Sequence, residues 1–194
     1  MKQPTQIIAG FGSRSCPSSA SNLISRAILD YLTPNDEEGH FIEPIECDGE
    51  VGIRTGDARG ADDAVAIASA DLELPCYRYS PTDTHESLNW TEALRIAEEL
   101  HPNWKACKPF VRKLMARSVF IILGPDCKSP ADHAFVWDAG TSGTRFTLSV
   151  CKYAKVDVTQ VNETRLLRDA PNTSTTPYCR IKSHSWTHPV SEWY

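Results

Sequence analysis

The sequence predicts an α/β fold of three layers, with a mainly parallel central sheet covered by helices on both faces. Short apolar runs alternate with helical patterns along the chain, an order typical of parallel strands joined by crossover helices. Three glycine-bearing segments each lie close to an apolar run and are followed by a helical pattern. The length of 194 residues, 41% of them hydrophobic, fits one globular domain with a substantial core.

The first half of the chain contributes three strands and two helices to this prediction. Turn-forming and acidic residues fill 33–40, and residues 41–47 fit either a short strand or an ordered insertion. Alanine dominates the second helical pattern, and acidic residues at its start suit the first turn of a helix. We predict strands at 6–9, 51–54 and 74–79, and helices at 18–32 and 61–70.

The second half continues the alternation and ends in a segment of different character. Residues 119–123 are β-branched, aromatic and apolar, as in a strand buried on both faces. A Thr/Ser/Pro-rich tail with late aromatic residues predicts an arm at 163–194 that packs on the 1–162 domain or on a neighbouring subunit of a homo-oligomer. We predict helices at 85–100, 109–116 and 145–155, and strands at 119–123, 134–137 and 156–158.

Charge and composition exclude several classes of protein. The net charge of −5 and the pI near 5.7 argue against a protein that mainly neutralises a nucleic-acid backbone. The polar start lacks the apolar core of a signal peptide and no apolar stretch approaches a membrane span, so we expect a cytoplasmic location. The seven cysteines contain no C-x-x-C pair and the histidines lack metal-ligand spacing, so we expect no metal and no cofactor. Cys16, beside the first glycine segment, is interpreted as a buried residue rather than a reactive thiol.

The three glycine-bearing segments, 10–14, 55–62 and 140–144, predict a site for a phosphate-containing ligand. Glycine lets the backbone approach an anion, and the amides at a helix start point towards it with the favourable end of the helix dipole. The residues that we expect to contact the ligand are Gly10, Gly12, Ser13, Arg14, Gly56, Arg59, Gly60, Asp62, Arg117, Trp137, Gly140, Thr141, Ser142, Gly143 and Thr144.

The charged and aromatic members of this set suggest distinct roles. Arg14 or Arg59 would supply a forked pair of donors to a phosphate, and Arg117 a further cation. Asp62 would accept hydrogen bonds from the vicinal hydroxyls of a ribose. Trp137, next to the third segment, would stack on a base.

Each assignment has a structural alternative that the sequence leaves open. Gly12 and Gly56 fit tight strand-to-helix turns equally well. Arg59 fits an internal ion pair with Asp57 or Asp62, and Asp62 also fits a helix cap.

Five short motifs occur in a characteristic order: Gly-Ser-Arg at 12–14, Asp-Ala-Arg-Gly-Ala-Asp at 57–62, His-Pro-Asn-Trp at 101–104, Met-Ala-Arg at 115–117 and Ser-Gly-Thr at 142–144. This order resembles the SLOG superfamily of Rossmann-like nucleotide-binding domains over about residues 6–162. Within the superfamily it is similar to the YspA-like and DprA-like proteins of bacteria and bacteriophages. The resemblance implies a Rossmann-like fold that holds a nucleotide or nucleotide-derived signal at the carboxyl ends of the strands.

The resemblance also bears on catalysis. Phosphoribohydrolases of the superfamily carry a P-G-G-x-G-T-x-x-E motif, whereas this chain has Thr147 at the glutamate position and no proline before the glycines. A hydroxyl carries no charge to stabilise an oxocarbenium-like transition state. We therefore expect binding without turnover, in the sharpest form a phage-encoded sponge that sequesters a cyclic-nucleotide or ADP-ribose-type immune messenger. The alternatives are an N-glycosidic hydrolase that uses Asp62, Asp138 or Glu86, and a DprA-like single-stranded DNA-binding recombination mediator, which the acidic charge disfavours.

Overall fold

A computed structural model describes residues 4–17, 19–33 and 51–161, which form a five-stranded, all-parallel sheet flanked by helices. The predicted three-layer α/β fold is therefore confirmed. The segments predicted at 41–47 and 163–194 lie outside the described residues. The strands are β1 (Gln6–Gly12), β2 (Val51–Gly56), β3 (Cys76–Tyr79), β4 (His133–Trp137) and β5 (Val158–Gln160), and the helices are α1 (Ala20–Leu32), α2 (Ala61–Asp71), α3 (Trp90–Leu100), α4 (Pro109–Leu123) and α5 (Ser142–Ala154), with a 3₁₀ turn at Trp104–Ala106.

The strand order is β3-β2-β1-β4-β5, so the chain first builds outward from β1 in one direction and then returns to build in the other. Each adjacent pair is parallel, and Gly12 at the end of β1 lies opposite Trp137 at the end of β4. In open α/β sheets the crevice at such a reversal, at the carboxyl ends of the strands, is the usual ligand site. The reversal here lies between β1 and β4.

Two apolar cores cover the faces of the sheet. Ile8, Ile53 and Phe135 lie in the core shared with α1 and α2. Phe11 and Val136 lie in the larger core shared with α3, α4 and α5. Strand alternation assigns neighbouring residues to opposite faces, which explains why these short strands are apolar along most of their length.

The predicted strand at 119–123 is wrong, because this run forms the second half of α4. All five of its residues are buried, and α4 contacts the sheet as well as α3 and α5. A helix enclosed in this way is apolar around its circumference, and its sequence cannot be distinguished from a buried strand by periodicity. Pro109 starts α4 at a position where the missing amide does no harm, and Gly124, with φ of 76°, ends it.

The remaining predicted elements differ from the structure mainly at their ends. The third helix begins at Trp90 rather than at residue 85, because the Asn89 side chain accepts a hydrogen bond from the Glu92 amide. The last helix begins at Ser142, three residues earlier than predicted, and β5 begins two residues later. Among the described residues, no helix is both long and apolar enough to cross a membrane.

Candidate functional site

Three strand-to-helix loops meet at the carboxyl edge of the sheet, because β2, β1 and β4 are neighbours. The loops follow β1 at Ser13, β2 at Asp57 and β4 at Asp138. The Ser13 amide donates to the carbonyl of Trp137 at 2.9 Å, and the Ser13 carbonyl accepts from the Ala61 amide at 3.0 Å. The first loop is thus hydrogen-bonded to elements on both sides.

The glycines of the first segment serve close packing between elements. A Cβ on Gly10 would lie 2.6 Å from both methyl groups of Val65 in α2. A Cβ on Gly12 would collide with the Trp137 carbonyl and lie 2.9 Å from the Ala61 Cβ. These contacts support the tight-turn alternative for Gly12, since the chain itself requires both glycines.

Ser13 and Arg14 differ in how accessible they are to a ligand. Ser13 is buried, and its hydroxyl lies 2.8 Å from the Ser15 hydroxyl and accepts from the Ser15 amide at 3.1 Å. Arg14 is exposed, and its backbone packs on Gly60, whose φ of 91° is readily adopted only by glycine. Arg14 therefore presents an exposed guanidinium beside the first loop, whereas Ser13 is part of the loop's own hydrogen bonding.

A buried ion pair closes the second loop. Arg117 from α4 donates through Nη1 to Asp62 Oδ2 at 3.1 Å, and the same oxygen accepts from the Ala58 amide at 3.2 Å. The space beside Gly56 is filled by this pair, because a Cβ there would collide with the guanidinium and the carboxylate. Burial raises the pKa of the Asp62 carboxyl, and the nearby Arg117 guanidinium and the Ala58 amide oppose that rise.

This pair decides between alternatives that the sequence left open. The ion-pair partner of Asp62 is Arg117 rather than Arg59, which is exposed. Arg117 stands on a helix rather than before a strand, and it reaches the carboxyl edge from the α4 side of the sheet. Asp57 lies farther from it, with Oδ1 at 4.0 Å from Arg117 Nη2.

Sequence reasoning missed Arg78, which reinforces the same loop from β3. Its Nε donates to the Gly56 carbonyl at 3.2 Å, and its Nη2 donates to Asp63 Oδ1 at 2.8 Å. The available signal was the parallel register, which places the end of β3 beside the end of β2. That register could not be assigned before the strand order was known.

The third loop leads into a helix start whose first amides are open. Thr141 caps α5 by accepting from the Thr144 amide at 3.3 Å, and the two threonine hydroxyls lie 2.8 Å apart. The amides of Ser142 and Gly143 make no hydrogen bond within the part of the chain that the structure describes. Among the described residues, a Cβ on Gly143 or on Gly140 would meet no atom within 4 Å apart from its chain neighbours and its own helix backbone, so the loop faces open space there.

Two neighbours of this loop limit which of its groups a ligand can reach. The Gly140 amide donates to Asp138 Oδ1 at 2.7 Å, and the Gly140 carbonyl accepts from Arg145 Nη2 at 2.7 Å. Trp137 is half-buried and packs against the core of α1 and α2. The predicted anion-binding amides are therefore reduced to those of Thr141, Ser142 and Gly143.

The structure bears on three predictions about reactivity: the hydrolase position, the Cys16 thiol and metal binding. Thr147, which the resemblance aligns with the hydrolase glutamate, is buried and donates from its hydroxyl to the Gly143 carbonyl at 3.2 Å. Burial raises the pKa of the Cys16 thiol to about 11, which fits an unreactive buried cysteine. Across residues 4–17, 19–33 and 51–161, no group of three or more His, Cys, Asp or Glu residues is arranged to hold a metal ion.

Comparison with known proteins adds no identification. No protein-family model matches the chain. No curated protein and no solved structure matches it significantly.

Proposed function

We propose that this protein binds a nucleotide or a nucleotide-derived molecule at the carboxyl edge of its sheet and does not turn it over. The observation that carries the proposal is the reversal of strand order between β1 and β4, where the three loops converge. The resemblance of the loop motifs to a superfamily of nucleotide-binding domains supports the same ligand class.

The start of α5 supplies the binding position for a phosphate. The amides of Ser142 and Gly143 are open, no acidic residue occupies the first turn, and the positive end of the helix dipole lies there. Gly143 leaves room for a phosphate oxygen to approach the backbone. Arg14, exposed at the neighbouring loop, adds a cation that attracts the phosphate.

The groups nearest this position favour binding over hydrolysis. The Thr147 hydroxyl is directed to the Gly143 carbonyl within its own helix. Asp62, one substitute carboxylate, is buried and paired with Arg117. A glycosidic bond needs a carboxylate positioned at the sugar to stabilise positive charge, and neither Thr147 nor Asp62 supplies one. Asp138, the substitute in the third loop, already accepts a hydrogen bond from the Gly140 amide through Oδ1.

Binding without turnover suits a protein that sequesters a signalling molecule. Such a protein acts stoichiometrically, so the amount of signal that it removes depends on tight binding and slow release rather than on a catalytic rate. Capture of a nucleotide-derived immune messenger in the cytoplasm is the specific form of this proposal.

The proposal is tested by isothermal titration calorimetry of the full chain with the four ribonucleoside 5′-monophosphates and 5′-triphosphates, ADP-ribose and cyclic di-GMP. We expect at least one to bind. Gly143→Asp should then weaken binding on the order of a hundredfold, because it sets a carboxylate against the phosphate. Gly143→Ala is the matched control, and it should weaken binding much less, because it adds a methyl group beside the phosphate but no charge.

Other outcomes separate the competing functions. Equal binding by Gly143→Asp and Gly143→Ala contradicts the phosphate position. Mass spectrometry of the recovered ligand should show it intact, and release of free base with a phosphorylated sugar would instead establish an N-glycosidic hydrolase. Binding of a single-stranded oligonucleotide with no binding of any mononucleotide would replace the proposal with a DNA-binding function.

A further inference from the structure

The residue predicted to recognise a ribose, Asp62, is poorly placed to do so. Its side chain is 5% exposed, and Oδ2 already accepts from Arg117 and from the Ala58 amide. A bidentate contact with a vicinal diol requires both carboxylate oxygens to be open. Asp62 thus belongs to the internal framework of the second loop.

Asp57, directly after the last residue of β2, has the opposite character. Its side chain is 40% exposed, and its carboxylate makes no hydrogen bond within the described residues. The 4.0 Å from Oδ1 to Arg117 Nη2 is beyond hydrogen-bond distance. Both oxygens of Asp57 are therefore available as acceptors beside the first loop.

A buried donor on Arg117 gives independent evidence that a hydrogen-bond acceptor belongs at this position. Its side chain is 9% exposed, and the guanidinium is directed between Asp62 and Asp57. Its Nε is buried and finds no hydrogen-bond partner among the described residues. Because buried donors are nearly always paired, the network around this guanidinium is incomplete without a further acceptor.

The two ends of this edge of the sheet differ in the acceptors and donors that they offer. Around the end of β2 the carboxylates of Asp57, Asp62 and Asp63 are balanced by the guanidiniums of Arg59, Arg78 and Arg117, and within the described residues Asp57 is the one carboxylate of the three that accepts no hydrogen bond. The start of α5 has no acidic residue in its first turn and carries the positive end of the helix dipole. Hydroxyl donors are favoured at β2, and phosphate is favoured at α5.

We propose that the end of β2 recognises a ribose, with the Asp57 carboxylate accepting hydrogen bonds from its free 2′- and 3′-hydroxyls. Arg117 acts as a positioning residue, since Asp62 holds its guanidinium beside Asp57. This inference rests on the proposed function, and it fixes the direction of the ligand from sugar at β2 to phosphate at α5. It also selects linear ribonucleotides over cyclic dinucleotides with 3′,5′ linkages, which lack a vicinal diol.

Calorimetry with paired ligands tests this inference on the full chain. The probes are the ribonucleoside monophosphates and triphosphates and their 2′,3′-dideoxy counterparts. For the unmodified chain we expect loss of both hydroxyls to weaken binding roughly tenfold to a hundredfold, as for hydrogen bonds to a charged group. In Asp57→Asn that ratio should fall to about threefold or less, because an amide offers one acceptor and no charge.

The control is Asp71→Asn, which makes the same charge change at the exposed last residue of α2 and should keep the full ratio. Thermal unfolding of Asp57→Asn should match that of the unmodified chain, since the side chain makes no hydrogen bond there. If ribonucleotides and dideoxynucleotides bind the unmodified chain equally, the ribose assignment is overturned while nucleotide binding stands. If no ribonucleotide binds, the ribose assignment fails, and if ADP-ribose and cyclic di-GMP also do not bind, the proposed function fails with it.

Discussion

The second and third glycine loops both join a strand to a helix, but their surroundings are opposite. At Gly56 the space of a side chain is taken by the Arg117 and Asp62 pair, whereas at Gly143 that space is open among the described residues. Gly56 is required by the protein's own side chains, and Gly143 leaves room for a ligand. Glycine in a strand-to-helix loop therefore indicates a close approach, and the neighbours across the sheet determine what approaches.

Replacement of Arg117 by methionine should have the largest effect on stability. It leaves Asp62 buried without its ion-pair partner, and breaking a buried pair from one side destabilises a protein by about 3–5 kcal/mol. Urea unfolding at pH 7.5 measures the loss. The double variant Arg117→Met with Asp62→Leu should recover most of it, since no charge is then buried alone.

The same variant should show a defined pH dependence. Burial already raises the pKa of Asp62 in the folded chain, and removal of Arg117 takes away the main opposing charge. A raised folded pKa means that the folded state binds the proton more tightly, so this carboxyl costs stability as pH rises above its unfolded value of about 4. The deficit of Arg117→Met should therefore shrink as pH falls from 8 towards 4. An equal deficit across that range would show that the charge of Asp62 is not its cause.

Alanine at the two contrasting glycines should act in opposite directions. Gly56→Ala displaces the buried pair, and such overpacking costs about 1–3 kcal/mol. Gly143→Ala adds a methyl group to a helical position in open space, which should stabilise the fold by about 0.5–1 kcal/mol. Urea unfolding of both variants under one condition measures the difference. A similar loss in both would mean that the space beside Gly143 is not open.

The alternation of apolar runs was sufficient to predict the sheet and most of its helices, because each strand is short and bounded by turn residues. The failure at 119–123 has a physical cause, since α4 is enclosed on several sides and its apolar residues show no helical face. Pro109 marked the start of this helix correctly. Gly124 ends it, but the helical state of 119–123 depended on enclosure by α3 and α5, which local patterns do not report.

The sequence predicted that the three loops lie near one another, but it could not show which of their residues are exposed to a ligand and which hold the loops together. Asp57 and Asp62 are both acidic and five positions apart, yet one is exposed and the other is buried against Arg117. That division depends on a guanidinium 55 residues away in sequence. Arg78 was missed for the same reason, because its place beside Gly56 follows from the strand register.

The smallest effect that we expect concerns the cap of the open loop. Thr141→Val keeps the size of the side chain and removes the hydroxyl that accepts from the Thr144 amide at 3.3 Å. Loss of such a cap destabilises a helix start by about 0.5–1 kcal/mol, so the urea midpoint should fall slightly. Thr141→Ser is the control and should restore the midpoint, because it retains the oxygen. If Thr141→Ser loses stability and Thr141→Val does not, the methyl group rather than the hydroxyl supports the loop. The open amides at Ser142 and Gly143 would then be held in place by packing, not by the cap.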